Sequence, residues 1–218
     1  MATVTPGNRP FELDAPPEGL LEVAADRLHT VLPGPTLLHL PGRQHRPLFV
    51  SVLLHGNETS GLEAVQQLLK KYAERSLPRA LSVFFGNIEA ARHRLRRLEH
   101  QPDFNRIWPG TLHDACPESA LVAAVTEIMR RRQVFASIDV HNTTGLNPHY
   151  ACVNRLDLRF LRLASLFGRL VIFFTHPKGT QTAARAYWCN NGFSANVTYD
   201  VPNESRLEPA EWGQAVVE

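Results

Sequence analysis

Short apolar runs alternate with amphipathic segments along most of this chain. The runs RPLFVSVLLHG, ALSVFFGN, VFASIDVHN and LVIFFTHP predict buried strands, and ANVTYDV predicts a fifth strand. Between them, SGLEAVQQLLKKYAERS, PESALVAAVTEIMRRRQ and LDLRFLRLASLFGR repeat apolar residues at helical spacing. Strands that alternate with helices in this way predict an α/β sandwich with a mixed or largely parallel sheet.

The predicted boundaries follow from helix-start and helix-stop residues. The first helix is expected to begin near Ser60 and to end at Pro78. The second carries Pro117 in its first turn and a run of three arginines in its last, which suits the helix dipole. Residues 1–40, rich in Pro and Gly with one helix-like patch, GLLEVAADRLHTVL, are predicted to be an N-terminal extension, and residues 41–218 one domain.

Polar residues close the predicted strands. His55 closes the first strand, Asn87 the second, His141 the third and His176 the fourth. In open α/β sheets, ligands bind outside the carboxyl ends of the strands. We therefore expect a functional site where these side chains meet.

His55 and Glu58 form a His-x-x-Glu pair on the turn after the first strand. Zinc favours imidazole nitrogen and carboxylate oxygen, and a catalytic zinc commonly has three protein ligands. His141 could be the third ligand, with Asp139 on the same face of its strand orienting an imidazole. A strand-end histidine and a helix-capping glutamate are the structural alternative, and the spacing leaves both open.

Composition and charge exclude several other classes of function. The chain has 218 residues, 44% of them hydrophobic, and a formal net charge of +2. It contains no apolar run of the roughly 20 residues that span a membrane. The basic run RHRLRRLEH has no interleaved aromatic residues, so no nucleic-acid partner is expected. The first 20 residues lack a secretory pattern and the three cysteines are scattered, which predicts a cytoplasmic protein.

A cysteine nucleophile is the weaker chemical alternative. Cys152 follows His149 by three residues, which is an incidental spacing on a loop or strand. Buried cysteine usually contributes packing rather than chemistry. We therefore favour the metal site.

Three motifs resemble those of one known family. HGNETSGLEA, DFNRIWPG and SIDVHNTTGLNPHYACV are similar, in this order, to motifs of the zinc-dependent aspartoacylase and succinylglutamate desuccinylase family, a branch of the zinc carboxypeptidase superfamily. The similarity covers roughly residues 45–200. It implies a three-layer, carboxypeptidase-like sandwich with one Zn²⁺ per chain, held by His55, Glu58 and His141.

The resemblance also implies how a substrate is bound. Asn105 and Arg106 match the family's pair that holds a substrate carboxylate, a task that suits a guanidinium group. Arg96 is the better match to the arginine that polarises the scissile carbonyl, although Arg97 is also possible because the spacer is longer here. Arg185, with Lys178 before it, is either a contact for an anionic substrate or an ordinary surface charge.

The resemblance is weakest near the end of the chain. The family's general base is a glutamate on a late strand, and Asp200 stands at the matching place with a side chain one methylene shorter. Glu204 is the second candidate. Family members continue into a C-terminal β domain, so we expect residues 41–218 to be the zinc-hydrolase catalytic domain without it.

The implied reaction is hydrolysis of an N-acyl amino acid to a carboxylic acid and a free amino acid. A carboxypeptidase-like zinc peptidase is one alternative, because the superfamily shares the fold and the metal ligands. A catalytically impaired zinc- or anion-binding module is another, because the base is altered. The sequence predicts neither the acyl group nor the oligomeric state.

Overall fold

The computed structural model describes residues 7–143, 149–174 and 196–202, and a single eight-stranded sheet runs through them. The strands are β1 (Phe11–Leu13), β2 (Thr36–Leu40), β3 (Gly42–Val52), β4 (Leu77–Phe85), β5 (Ala136–Thr143), β6 (Tyr150–Val153), β7 (Leu170–Phe173) and β8 (Asn196–Pro202). The helices are α1 (Ser60–Lys71), α2 (Ile88–Arg92), α3 (Pro117–Arg131) and α4 (Leu158–Ala164), with a 3-10 helix at Ala25–Thr30.

The sheet is mixed and largely parallel, as predicted. Its strand order is β1-β2-β4-β3-β5-β8-β6-β7. Only the pairs β2–β4 and β6–β8 are antiparallel in the described part of the chain. In the middle of the sheet, β3, β5 and β8 run parallel to one another, so their carboxyl ends meet at one edge.

Both faces of the central strands are covered. The stretch Leu48–Val52 of β3 is buried at every position, although successive side chains point to opposite faces. Helix α1 covers one face, where Gly61 packs against Val52 and Val140. On the other face Trp108 packs edge-on against Phe84, with ring centroids 6.2 Å apart. The molecule is therefore the expected three-layer α/β sandwich.

The helices follow the sequence signals closely at their starts. Helix α1 begins at Ser60 as predicted, and α3 begins with Pro117 behind a capping box formed by Cys116 and Ser119.

In the described parts of the chain, no helix combines the length and the apolar character that crossing a membrane requires.

The predicted end of the first helix was wrong. Helix α1 ends at Lys71, and Pro78 lies instead at the second position of β4. The strand starts there because Leu77 pairs with Gly42 of β3. Proline is tolerated near the first residue of a strand, where it interrupts little of the ladder.

The N-terminal stretch contributes two strands to the sheet. Strands β1 and β2 join the sheet through the pairs Phe11↔Thr36 and Leu38↔Val83. The boundary expected at residue 40 therefore falls inside the sheet. The helix-like patch forms turns and the 3-10 helix Ala25–Thr30 rather than an α-helix, and these turns bury Leu20, Leu28 and Leu32.

Candidate metal centre

The turn between β3 and α1 brings His55 and Glu58 together. Leu53, the residue after β3, has a φ of 55°, which turns the chain away from the strand. The Glu58 backbone N–H then donates to the His55 carbonyl at 3.1 Å. As a result, His55 Nδ1 lies 2.8 Å from Glu58 Oε1.

Gly56 is required in this turn because another backbone passes close to it. A Cβ atom at position 56 would lie 2.1 Å from the Ala91 nitrogen and 2.3 Å from the Ala90 carbonyl carbon, both in α2. The Gly56 N–H also donates to the Arg96 carbonyl at 3.1 Å. The turn is thus fixed to α2 and to the loop that follows it.

His141, near the carboxyl end of β5, completes the cluster. Its Nδ1 lies 2.7 Å from Glu58 Oε2 and 3.2 Å from His55 Nδ1. The three residues are buried, and each offers one ligand atom within 4.8 Å of the other two. The structure therefore brings together the three residues that the sequence predicted as metal ligands.

A carboxylate lies behind each imidazole. Asp139 Oδ2 is 3.0 Å from His141 Nε2, and Asp103 Oδ1 is 3.0 Å from His55 Nε2. Because an ionised carboxylate only accepts, the Nε2–H of each ring donates to it. In this tautomer the proton is on Nε2, and the Nδ1 atom of each ring faces Glu58 and the other histidine.

This arrangement fits a bound cation. The two Nδ1 atoms and the Glu58 oxygens converge in a buried space, which demands positive charge between them, as protons or as a metal ion. Two imidazole nitrogens and one carboxylate are a donor set typical of zinc, and carboxylates behind ligating histidines are the usual supports of such sites.

The same contacts shift the pKa values of the cluster. Burial alone would raise the pKa of Glu58, but hydrogen bonds from His141 and His55 outweigh it and lower that pKa to about 2. Burial opposes protonation of His141, yet Asp139 and Glu58 raise its pKa well above the usual value. Burial would also raise the pKa of Asp103, but its contacts with His55, the Asn105 N–H and Arg96 together outweigh burial and lower that pKa. Glu58 is therefore ionised, as a metal ligand must be.

Arg96 reaches this cluster and Arg97 does not. The Arg96 guanidinium donates to Glu58 Oε1 at 3.3 Å and to Asp103 Oδ2 at 3.2 Å, and its side chain is 48% exposed. Arg97 donates instead to backbone carbonyls, the shortest bond being 2.8 Å to Gln101. Of the two arginines that the sequence left open, the geometry favours Arg96.

The segment DFNR contacts the cluster through its aspartate. Asp103 had no predicted role, although it opens the motif DFNRIWPG. The Asn105 backbone N–H donates to Asp103 Oδ1 at 2.8 Å, and exposed Arg106 donates to the Asn105 carbonyl at 2.9 Å. Asn105 and Arg106 therefore lie in the same short loop as Asp103, and these bonds stay within that loop.

Asp200 lies in the strand next to the one that carries His141. In β8 it pairs in register with His141 of β5 and, on the other side, with Tyr150 of β6. Arg185, Lys178, Glu204 and His176 lie outside the described residues.

Two other predicted positions have structural roles. Asn87 caps α2 and donates to Gln101 Oε1 at 3.1 Å, so it supports the loop that carries Arg96 rather than the metal cluster. Cys152 lies in β6 and is only 3% exposed, which does not suit a nucleophile. Buried cysteine of this kind contributes packing.

A mixed α/β sheet that places two histidines and a glutamate at the carboxyl ends of β3 and β5 defines an α/β protein with a candidate metal centre. The family described as succinylglutamate desuccinylase/aspartoacylase catalytic domain matches residues 45–195, and the chain belongs to this family. The match confirms the resemblance seen in the motifs.

Individual relatives agree with this assignment. The chain is 36% identical over 105 residues to a succinylglutamate desuccinylase of Pseudomonas aeruginosa, a match that covers 47% of this chain and 29% of that protein. A solved succinylglutamate desuccinylase of Chromobacterium violaceum superposes with a TM-score of 0.62 at 20% identity, covering 80% of this chain and 60% of that one. A metallo-carboxypeptidase of Burkholderia cenocepacia superposes with a TM-score of 0.64 at 13% identity, and the match covers 83% of this chain and 58% of that one. The chain thus spans less than two thirds of each relative.

Proposed function

We propose that this protein is a zinc-dependent hydrolase that cleaves the amide bond of an N-acyl amino acid. The observation that carries the proposal is the buried convergence of His55, Glu58 and His141, with a carboxylate behind each histidine. Family membership supports the reaction class. The products are a carboxylic acid and a free amino acid.

The three ligands would hold one zinc ion through His55 Nδ1, His141 Nδ1 and the Glu58 carboxylate. When bound, zinc supplies Lewis-acid polarisation of a carbonyl group and acidifies a water molecule. Asp103 and Asp139 hold the imidazoles in the tautomer that this role requires.

The remaining steps belong to residues of the chain. Asp200 accepts a proton from the attacking water, whose oxygen bonds to the carbonyl carbon. Asp200 then returns that proton to the nitrogen as the C–N bond breaks. The Arg96 guanidinium donates to the carbonyl oxygen as negative charge develops on it. The register of Asp200 beside His141 and the reach of Arg96 into the cluster support these roles.

Substrate binding is assigned to one amide side chain and two cationic ones. Asn105 and Arg106, in the loop that carries Asp103, hold a carboxylate of the substrate, and Arg185 contributes a further positive charge. This set favours small anionic substrates such as N-acetylaspartate or N-succinylglutamate.

The test is release of free amino acid from these two compounds by the zinc-loaded protein. His141→Ala should lose both zinc and hydrolysis, because one of three ligands is gone. Asp200→Asn should keep zinc but lower kcat by about 10²- to 10⁴-fold, the usual contribution of a general base. His39→Gln alters a buried histidine bonded to Ser82, away from the cluster, and should change neither property.

Three outcomes would contradict parts of this proposal. If the Asp200→Asn variant hydrolyses substrate as fast as the wild type, Asp200 is not the general base. Hydrolysis of peptide C-termini in preference to N-acyl amino acids would indicate a peptidase. Bound zinc without hydrolysis of either compound would indicate a metal-binding module.

A further inference from the structure

A serine hydroxyl lies one step behind the carboxylate that supports His141. Ser51 Oγ donates to Asp139 Oδ1 at 2.6 Å, while Asp139 Oδ2 accepts from His141 Nε2 at 3.0 Å. Ser51 and Asp139 are both completely buried. We infer that Ser51 is a positioning residue of the metal centre, an inference that rests on the metal site of the proposed function.

The strand pairing sets this contact without help from any loop. Ser51 in β3 and Asp139 in β5 are direct partners in the parallel ladder. Rotation of a carboxylate about its last torsion angle is otherwise broad and roughly two-fold. With one oxygen fixed by Ser51, the other is directed at His141 Nε2, so the ring presents Nδ1 to Glu58. The remaining Ser51 contact, 3.4 Å to the Ile138 carbonyl, is much longer.

The two histidines are supported unequally. Asp103, which supports His55, lies on a loop with a side chain 21% exposed, and its second side-chain partner is the exposed Arg96. Asp139 is fully enclosed in the sheet, where water cannot replace a missing donor. Loss of the Ser51 hydroxyl therefore leaves one oxygen of Asp139 without its short hydrogen bond and loosens the His141 side of the site.

The chain offers a matched control on the same face of the sheet. Ser82 in β4 is also completely buried, and its Oγ lies 2.9 Å from His39 Nδ1. Its register partner in β3 is Phe49, two residues from Ser51 and so on the same face. Ser82→Ala and Ser51→Ala delete the same atom from equally buried sites, but only Ser51 bonds to the carboxylate that supports His141.

The experiment is a competition titration of zinc against a chelator, with equilibrium unfolding measured on each variant. Ser51→Ala should weaken zinc binding about tenfold. This is the low end of the loss in metal affinity expected when a residue that supports a metal ligand is replaced. Ser82→Ala should destabilise the fold to a similar extent without changing zinc affinity. Ser51→Thr, which retains the hydroxyl, should restore the affinity. Cobalt substituted for zinc should show an altered visible spectrum only in Ser51→Ala.

The possible results separate this inference from the proposed function. Zinc affinity of Ser51→Ala equal to that of the wild type would overturn the role of Ser51 and leave the metal site intact. Absence of stoichiometric zinc in the wild type would overturn both. If Ser51→Ala does not fold, Ser51→Cys replaces it in the same titration, since the thiol is similar in size and a weak donor.

Discussion

Asp103 is the residue whose importance only the folded chain reveals. Its carboxylate lies 3.0 Å from His55 Nε2, across 48 residues of sequence. Asp103→Asn replaces a charged acceptor with a neutral amide and should weaken zinc binding by about 10- to 100-fold, measured by chelator competition.

Asp26→Asn is the matched control for that change. Asp26 pairs with the exposed Arg94, away from the cluster, so its variant should bind zinc like the wild type. Zinc affinity of Asp103→Asn within twofold of the control would contradict a supporting role for Asp103.

Arg96 and its neighbour Arg97 allow a second comparison between single residues. A lysine at position 96 keeps the charge but loses the fork that spans Glu58 and Asp103. Arg96→Lys should lower kcat/KM for the N-acyl amino acid by about 100-fold, as expected for loss of a donor to the developing oxyanion. Arg97→Lys should stay close to wild type, and equal losses in both variants would refute the assignment.

The sequence predicted the candidate ligands because they lie in local motifs. His55 and Glu58 are three residues apart, and His141 shares a strand with Asp139. The contact from Asp103 to His55 depends on the path of a loop, fixed by the bond from Gly56 to the Arg96 carbonyl. No spacing rule encodes that path, so neither Asp103 nor Ser51 could be assigned from the sequence.

At the scale of elements, the close approach of the ligand turn to α2 is the tightest constraint near the site. A Cβ at Gly56 would overlap backbone atoms of Ala90 and Ala91, which cannot move aside as a flexible side chain could. Gly56→Ala should therefore lower the free energy of unfolding by about 1–3 kcal/mol, the usual cost of overpacking, and weaken zinc binding as well.

Asn57→Ala is the control for this variant, since Asn57 is exposed and adjacent in the same turn. Chemical denaturation of both variants measures the effect. A Gly56→Ala protein as stable as Asn57→Ala would show that the turn and α2 are not held as tightly as the structure indicates.

Apolar runs in the sequence predicted the strands β3, β4, β5, β7 and β8, but not β1, β2 or β6. Strands β3, β4 and β5 carry buried apolar runs that the pattern identifies. Strand β6 lies inside the quoted site motif and β1 has three residues among prolines, so no separate apolar run marks either strand. Both depend on pairing with strands distant in sequence, which is a tertiary effect.

At the scale of the whole molecule, the metal centre joins two parts of the sheet. His55 follows β3, whereas His141, 86 residues later, belongs to β5. A metal held by both would connect the ends of adjacent strands, and its binding free energy would add to the stability of the folded chain. The fold therefore brings the ligands together, and a bound metal ion would in turn stabilise the fold.

The zinc content of the purified protein is the measurement that bears most closely on the proposed metal centre. Elemental analysis after dialysis should find about one zinc per chain in the wild type, the stoichiometry of a site with three protein ligands. Glu58→Gln should lose that zinc, and His39→Gln should retain it. A folded wild-type protein that binds no stoichiometric metal, even when zinc is supplied, would show that His55, Glu58 and His141 are not a zinc site.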